Sequence, residues 1–165
     1  MLFANAGGGS FAPLGAITEE PYAATFDTNV KGLVFAVQKA LPLMPDGASI
    51  ILNGSTTSAK GLPAFSVYSA SKAAVRSFAR SWTTDLKARK IRVNTISAGP
   101  VKTLSAMAVG GIDEMFEHTI KKAPLHRNID GDEVGKTAVY LLSDLSSGVT
   151  GENIYVDSGF NIVGL

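Results

Sequence analysis

Four short apolar segments alternate with helical patterns along this chain, and a polar or glycine-rich turn follows each of them. The segments are residues 2–4, 48–52, 91–96 and 153–156. They show little polar alternation, which is typical of strands buried on both faces, and helices between such strands predict a parallel sheet. We therefore expect an α/β fold, a Rossmann-like parallel sheet of about four strands with helices on both faces, forming a single domain over residues 1–165.

Three longer segments have the apolar periodicity of helices. They are residues 18–44, 65–88 and 130–142. Thr18 can cap the first of these, and Pro21 is tolerated in its first turn. Residues 101–128 are predicted to be irregular, with short helical potential around residues 113–122.

Composition excludes several classes of protein. Lys and Arg number 15 and Asp and Glu 14, without a basic run, which argues against a polybasic nucleic-acid binder. The absence of cysteine excludes disulfides, thiolate metal sites and cysteine nucleophiles. No apolar stretch reaches the ~18 residues of a membrane span, and the first residues lack the basic start of a signal peptide. We expect a cytoplasmic protein that binds a small molecule, with no metal, nucleic acid or membrane partner.

Tyr68 and Lys72 are four residues apart, so they share one face of the second predicted helix. A cation held beside a phenol favours the phenolate and lowers the pKa of the tyrosine. Such a pair can act as a general acid or base toward an alcohol or a carbonyl. The alternative is an ordinary pair on an exposed helix surface.

Ser55 follows the second predicted strand, at the sheet edge where parallel α/β folds carry their sites. We expect its hydroxyl to meet Tyr68 there and to bind a substrate oxygen. Thr56, Thr57 and Ser58 compete for this role, and a serine that merely satisfies the turn backbone is the structural alternative.

Further polar and glycine residues follow the first and third strands. Asn5-Ala6-Gly7 ends the first strand, and Gly99-Pro100 follows the third, which contains Asn94. Asn29 falls inside an apolar helix, where a buried amide needs a hydrogen-bond partner. Each feature alone is also compatible with turn chemistry or a satisfied core amide.

Taken together and in this order, these residues resemble the motifs of the short-chain dehydrogenase/reductase family. The motifs are Asn5-Ala6-Gly7, Asn29, Ser55, Tyr68-x-x-x-Lys72, Asn94 and Ser97-Ala98-Gly99-Pro100-Val101-x-Thr103, with a tail from Val149 to Gly159. The resemblance covers essentially the whole chain. It implies hydride transfer between NAD or NADP and a secondary alcohol or ketone.

The resemblance also implies a role for each position. Tyr68 would exchange a proton with the substrate oxygen, Lys72 would lower the pKa of Tyr68 and hold the nicotinamide ribose, and Ser55 would orient the oxygen. Asn29 would hold a water molecule that relays protons from Lys72. The positions that would lie along the cofactor are Asn5, Ala6, Gly7, Tyr68, Lys72, Gly99, Pro100, Val101 and Thr103.

One family motif has no counterpart in the sequence. Family members begin with about three further βα units, which carry a G-x-x-x-G-x-G turn that binds the pyrophosphate. Two glycine-containing segments could replace this turn, and neither fits. Residues 7–9 lack the spacing of the glycines, and residues 131–137 lie in a predicted helix and have two acidic side chains where a phosphate would bind. We therefore expect the first strand to be a sheet edge and the affinity for a dinucleotide to be far below the family's.

The sequence gives less information about the substrate and the oligomeric state than about the fold. By family analogy residues 104–125 would cover the substrate, and their apolar members would either suit an apolar substrate or form the buried face of a short helix. Those members are Met107, Met115, Phe116 and Ile120. Phe35 and Trp82 add apolar surface to the long helices, which predicts a homodimer or homotetramer. A catalytically silent fragment that keeps this surface, or an unrelated binding module, is the alternative to an enzyme.

Overall fold

The computed structural model describes residues 1–103, 106 and 112–163. It contains four parallel strands: β1 (Leu2–Ala4), β2 (Ser49–Asn53), β3 (Arg92–Ala98) and β4 (Asn153–Val156). They pair in the order β1-β2-β3-β4, which leaves β1 at one edge of this sheet. The predicted four-stranded α/β architecture is confirmed.

Within the residues that the structure describes, five α-helices of more than one turn connect and cover these strands. They are α1 (Glu19–Phe26), α2 (Leu33–Ala40), α3 (Ser66–Asp85), α4 (Ile112–Lys122) and α5 (Gly131–Leu142). The first predicted helix is divided by a π-helical segment, Asp27–Gly32, which apolar periodicity does not reveal. No helix in the described part of the chain is long and apolar enough to cross a membrane.

Side chains of the central strands alternate between two apolar clusters, one on each face of the sheet. Ile50 and Leu52 pack with Val75 of α3 in the first cluster. Ile51, between them in sequence, packs with Leu141 of α5 in the second. Because both faces are covered, these strands appear in the sequence as continuous apolar runs.

The residues predicted to cover the substrate lie partly outside the described residues, and this is the case for Met107. Within α4, Phe116 is buried and Ile120 is 41% exposed, while Met115 is half-buried. Only part of the predicted apolar set therefore forms the buried face of this helix.

Asn94, in the middle of β3, braces the turn that leads into β4. Its Nδ2 donates to the Val149 carbonyl at 2.9 Å, and its Oδ1 accepts from the Glu152 amide at 3.1 Å. The side chain is completely buried. Its role is therefore to satisfy backbone groups and fix the position of β4.

The Asn94→Leu substitution removes both hydrogen bonds while keeping a side chain of similar size. We expect the free energy of unfolding to fall by about 2 kcal/mol, because backbone groups left unsatisfied inside a protein are costly. Urea denaturation measures this change. The matched control is Gln38→Leu, at an exposed amide of α2, which should change stability by no more than about 0.5 kcal/mol. Equal effects of the two substitutions would contradict the bracing role.

Candidate active site

A cleft with a volume of about 930 Å³ opens at the carboxyl ends of β1, β2 and β3. Parallel α/β sheets bind ligands at this edge because strands and helices splay apart there. The structure brings most of the predicted site residues to the lining of this cleft. They are Asn5, Gly7, Ser55, Tyr68, Lys72, Gly99, Pro100, Val101 and Thr103. Ala6 is exposed and Asn29 lies behind the wall, so neither lines the cleft.

The Ser55 hydroxyl lies beside the phenol of Tyr68, close enough to lower the pKa of that phenol. Ser55 is buried, and its hydroxyl lies 3.0 Å from the Thr57 hydroxyl and accepts from the Thr57 amide at 3.3 Å. Thr56 is directed elsewhere, since its hydroxyl donates to the Ala98 carbonyl at 3.2 Å. Of the four candidate hydroxyls, that of Ser55 is the one that acts on the pKa of the phenol.

Three apolar groups enclose the ring of Tyr68. The ring centroids of Phe11 and Phe65 lie 5.7 and 6.3 Å from that of Tyr68, both in edge-on geometry. Gly9 packs so closely that a Cβ atom there would lie 2.7 Å from Cδ2 of Tyr68. A side chain at residue 9 would therefore push the phenol out of its place.

Burial raises the pKa of Tyr68, and the hydrogen bond from Ser55 opposes this only in part. The expectation that Lys72 lowers the pKa of Tyr68 below its ordinary value is therefore wrong. Removal of the phenolate from water outweighs the other effects. At neutral pH Tyr68 is therefore a neutral phenol, whose hydroxyl is able to donate a hydrogen bond.

Lys72 is almost completely buried at the base of the cleft. Its Nζ donates to the Asn53 carbonyl at 2.8 Å and lies 5.7 Å from the centroid of the Tyr68 ring. Burial lowers the pKa of Lys72 to about 8. Lys72 and Tyr68 therefore lie on the same side of α3, as predicted, and the ammonium loses its proton close to physiological pH.

Asn29 joins the glycine turn after β1 to α3. Its Oδ1 accepts from the Gly8 amide at 3.0 Å, and its Nδ2 donates to the Gly8 carbonyl at 2.8 Å and to Ser71 Oγ at 2.9 Å. Ser71 in turn donates to the Tyr68 carbonyl at 2.7 Å. These contacts give Asn29 a positioning role, while the water relay stays a prediction.

The π-helical segment that contains Asn29 is a feature that the sequence pattern did not predict. Such segments occur often at functional sites, because the extra residue in the turn redirects a side chain. Gly8, Ser71 and Asn53 were also missed as site residues. Ser71 offered one usable signal, since it is a buried hydroxyl in mid-helix next to Lys72.

The cleft beside Lys72 fits the ribose and nicotinamide of a dinucleotide. A Cβ atom at Gly7 would lie 3.1 Å from both Lys72 Nζ and Asn29 Oδ1, so only glycine keeps this space open. The ammonium and the amide oxygen of Asn5 supply polar groups for ribose hydroxyls. Among the described residues, no group of His, Asp and Glu is placed to hold a metal ion.

A family model described as Enoyl-(Acyl carrier protein) reductase matches residues 1–161. The chain belongs to this family. Enoyl-(acyl carrier protein) reductases are of the short-chain dehydrogenase/reductase type, so the resemblance seen in the motifs is confirmed.

Individual members of the family agree with this assignment. The chain is 45% identical over 137 residues to the NADPH enoyl-[acyl-carrier-protein] reductase FabI of Staphylococcus aureus strain MRSA252, covering 83% of this chain and 54% of that protein. It is 41% identical over 144 residues to the NADH enzyme of Nostoc, covering 87% and 56%. The crystal structure of the NADH enzyme of Aquifex aeolicus superposes with a TM-score of 0.92 at 31% identity, covering 99% and 66%. The chain thus spans between half and two thirds of these relatives.

The lowered pKa of Lys72 predicts a specific dependence of stability on pH. Between pH 8 and 10 the unfolded chain holds a proton on Lys72 that the folded chain has lost, so folding becomes more favourable as the pH rises. We expect the difference in unfolding free energy between the parent chain and Lys72→Met to rise by about 1.4 kcal/mol per pH unit in this window.

Urea denaturation at several pH values measures this slope. Lys87→Met, at an exposed lysine, is the matched control and should follow the parent chain at every pH. A difference between the parent and Lys72→Met that stays constant from pH 8 to 10 would show that the ammonium is not desolvated.

Proposed function

We propose that this chain carries the catalytic portion of a nicotinamide-dependent reductase that acts on the carbon–carbon double bond of an enoyl thioester. The observation that carries the proposal is that Ser55, Tyr68 and Lys72 line one cleft, at the sheet edge of a chain that matches the enoyl reductase family over residues 1–161. The two hydroxyls converge on one place in the cleft. A single substrate oxygen placed there accepts a hydrogen bond from each.

The chemistry places negative charge on that oxygen. A reduced nicotinamide, held beside Lys72, would supply the hydride. Addition of a hydride at the β-carbon moves the electron pair of the double bond toward the thioester carbonyl, so that its oxygen takes on enolate charge. Tyr68, as a neutral phenol, donates to the enolate oxygen, and Ser55 supplies the second hydrogen bond. A proton from solvent then adds at the α-carbon as the thioester carbonyl re-forms, so that one hydride and one proton saturate the double bond.

Lys72 supports this arrangement in two ways. As an ammonium close to the Tyr68 ring, it favours negative charge at the end of the cleft where the oxygen is bound. It is also placed to donate to ribose hydroxyls, together with backbone groups of Asn5 and Gly7. The remaining predicted cofactor contacts follow β3 and are Gly99, Pro100, Val101 and Thr103. NADH and NADPH both occur among the relatives.

The Tyr68→Phe substitution removes the proton donor but keeps the ring between Phe11 and Phe65. We expect oxidation of the reduced nicotinamide by an enoyl thioester to slow by about 10²–10⁴-fold, since a positioned general acid contributes a factor of this size. Loss of absorbance by the reduced cofactor measures the rate. Tyr22→Phe, at an exposed tyrosine of α1, is the matched control and should leave the rate unchanged. Full activity in Tyr68→Phe would remove the phenol from the mechanism.

A second candidate function is reduction of a ketone or oxidation of a secondary alcohol. The Ser55–Tyr68 pair favours it equally, because both reactions place charge on one oxygen. They differ only in the carbon that accepts the hydride, which is the carbonyl carbon here and the β-carbon in the enoyl reaction. The enoyl substrate has the stronger support because the relatives are named for it.

Two thioesters of the same carrier separate these functions. We expect crotonyl thioester, which offers a double bond, to be reduced at least tenfold faster than acetoacetyl thioester, which offers a ketone, because the family's named substrates are enoyl thioesters. Mass spectrometry of the products identifies the reduced bond. The reverse preference would establish the second function, and turnover of neither with saturating NADH or NADPH would establish the silent fragment.

The exposed apolar surface of the long helices supports a proposal about the oligomeric state of the protein. Phe35 is half exposed on α2, whereas Trp82 stacks on Phe78 at 5.0 Å between ring centroids and packs against the first core cluster. We infer a homodimer or homotetramer through α2 and α3, with Phe35 as its apolar contact. A monomer by light scattering at micromolar concentration would contradict it.

A further inference from the structure

Lys60 is a buried cation that the proposed mechanism does not use. It is 7% exposed, in the loop between Ser55 and α3. Its Nζ donates to the Phe160 carbonyl at 2.9 Å and to the Val163 carbonyl, and it lies 4.4 Å from the centroid of the Phe160 ring. All of these partners are uncharged. Burial of an ammonium with such partners costs free energy that an apolar side chain would not cost, so packing alone does not explain a lysine here.

The contacts of Lys60 hold the turn that follows β4. A second contact joins the same two segments, since Thr56 donates to Asp157 Oδ2 at 3.2 Å. Asp157 also accepts from the amides of Gly159 and Asn161, at 3.0 and 2.8 Å, and so organises the turn itself. The loop that carries Ser55 is thus fixed to residues 157–163 at two points.

Phe160 transmits this constraint to the cleft. Its ring lines the cleft and meets the imidazole of His118 edge-on, with 6.0 Å between ring centroids. His118 lies on α4 and lines the cleft as well. The Phe160 ring is therefore the group through which the contacts of Lys60 reach the cleft lining and the exposed imidazole of His118.

We propose that Lys60 is a positioning residue that fixes Phe160, and through it His118, as one wall of the substrate cleft. The ammonium acts on the wall by holding two backbone carbonyls and the face of the ring at once. That an acyl chain packs against this wall rests on the proposed function, whereas the positioning role itself does not.

Histidine NMR tests the positioning role without activity. The chain has two histidines, His118 and His126. In ¹³C-histidine-labelled protein we expect Lys60→Met to move the ring resonances of His118 toward those in Phe160→Leu, because the ring current of Phe160 no longer acts on them. The His126 resonances should stay in place. Lys60→Arg, which keeps the charge and the donors, should restore the His118 resonances at least in part.

The controls separate this role from general destabilisation. Lys87→Met, at an exposed lysine, should give the parent spectrum. If Lys60→Met does not fold, Lys60→Gln, which keeps one amide donor for the Phe160 carbonyl, replaces it. His118 resonances that stay at their parent positions in Lys60→Met, or in Lys60→Gln where it replaces that variant, with folding verified by circular dichroism, would overturn the proposal.

Kinetics then connect the wall to the substrate. We expect Lys60→Met to raise KM for the enoyl thioester by about tenfold with kcat changed by less than about twofold, because a binding surface is altered and the proton donor is not. An equal fall of kcat with KM unchanged would contradict action through the cleft wall. Absence of turnover in the parent chain would refute the proposed function, while the histidine spectra would still decide the role of Lys60.

Discussion

The hydrogen bonds of the Asn29 amide are the interaction on which the site depends. They join the glycine turn after β1 to Ser71, and Ser71 holds the backbone of Tyr68. The base of the cleft and the helix that carries the phenol and the ammonium are thereby fixed relative to each other. The π-helical segment makes this possible because it turns Asn29 inward from an otherwise continuous helix.

Burial then determines what the fixed groups can do. Tyr68 and Lys72 lie in the same desolvated region, and each is shifted toward its uncharged form, the phenol upward in pKa and the ammonium downward. A neutral phenol is suited to give a proton to an oxygen that gains charge during hydride addition. The site is therefore better adapted to reduction than to the abstraction of a proton from an alcohol.

The sequence predicted the fold well because the constraint on each strand is local. Residues 50–52 are a continuous apolar run whose side chains pack on both faces of the sheet, and the helical segments show apolar periodicity of their own. It also predicted that Ser55, Tyr68 and Lys72 meet, since parallel strands end at one edge and a spacing of four places two side chains on one helix face. These inferences need only short-range patterns and a topology rule.

The rest depends on contacts between distant residues. The pKa of Tyr68 was predicted in the wrong direction because part of the enclosure of its ring, by Gly9 and Phe11, comes from a segment more than fifty residues away in the sequence. Lys60 and Phe160 are a hundred residues apart, so nothing near either one indicates their contact. The sequence predicted a secondary alcohol or ketone as the substrate, whereas the relatives are named for enoyl thioesters. The motifs do not separate the two, since an alkoxide and an enolate make the same demand on Ser55 and Tyr68.

The proposed chemistry requires the phenol of Tyr68 to remain protonated in the cleft. Ultraviolet titration of tyrosine ionisation tests this directly. The difference in tyrosinate absorbance between the parent chain and Tyr68→Phe isolates one of the four tyrosines. We predict that this difference develops only above a pH of about 10, where an ordinary tyrosine ionises. Its appearance between about pH 7 and 9 would mean that Tyr68 is a phenolate near neutrality and would contradict the account.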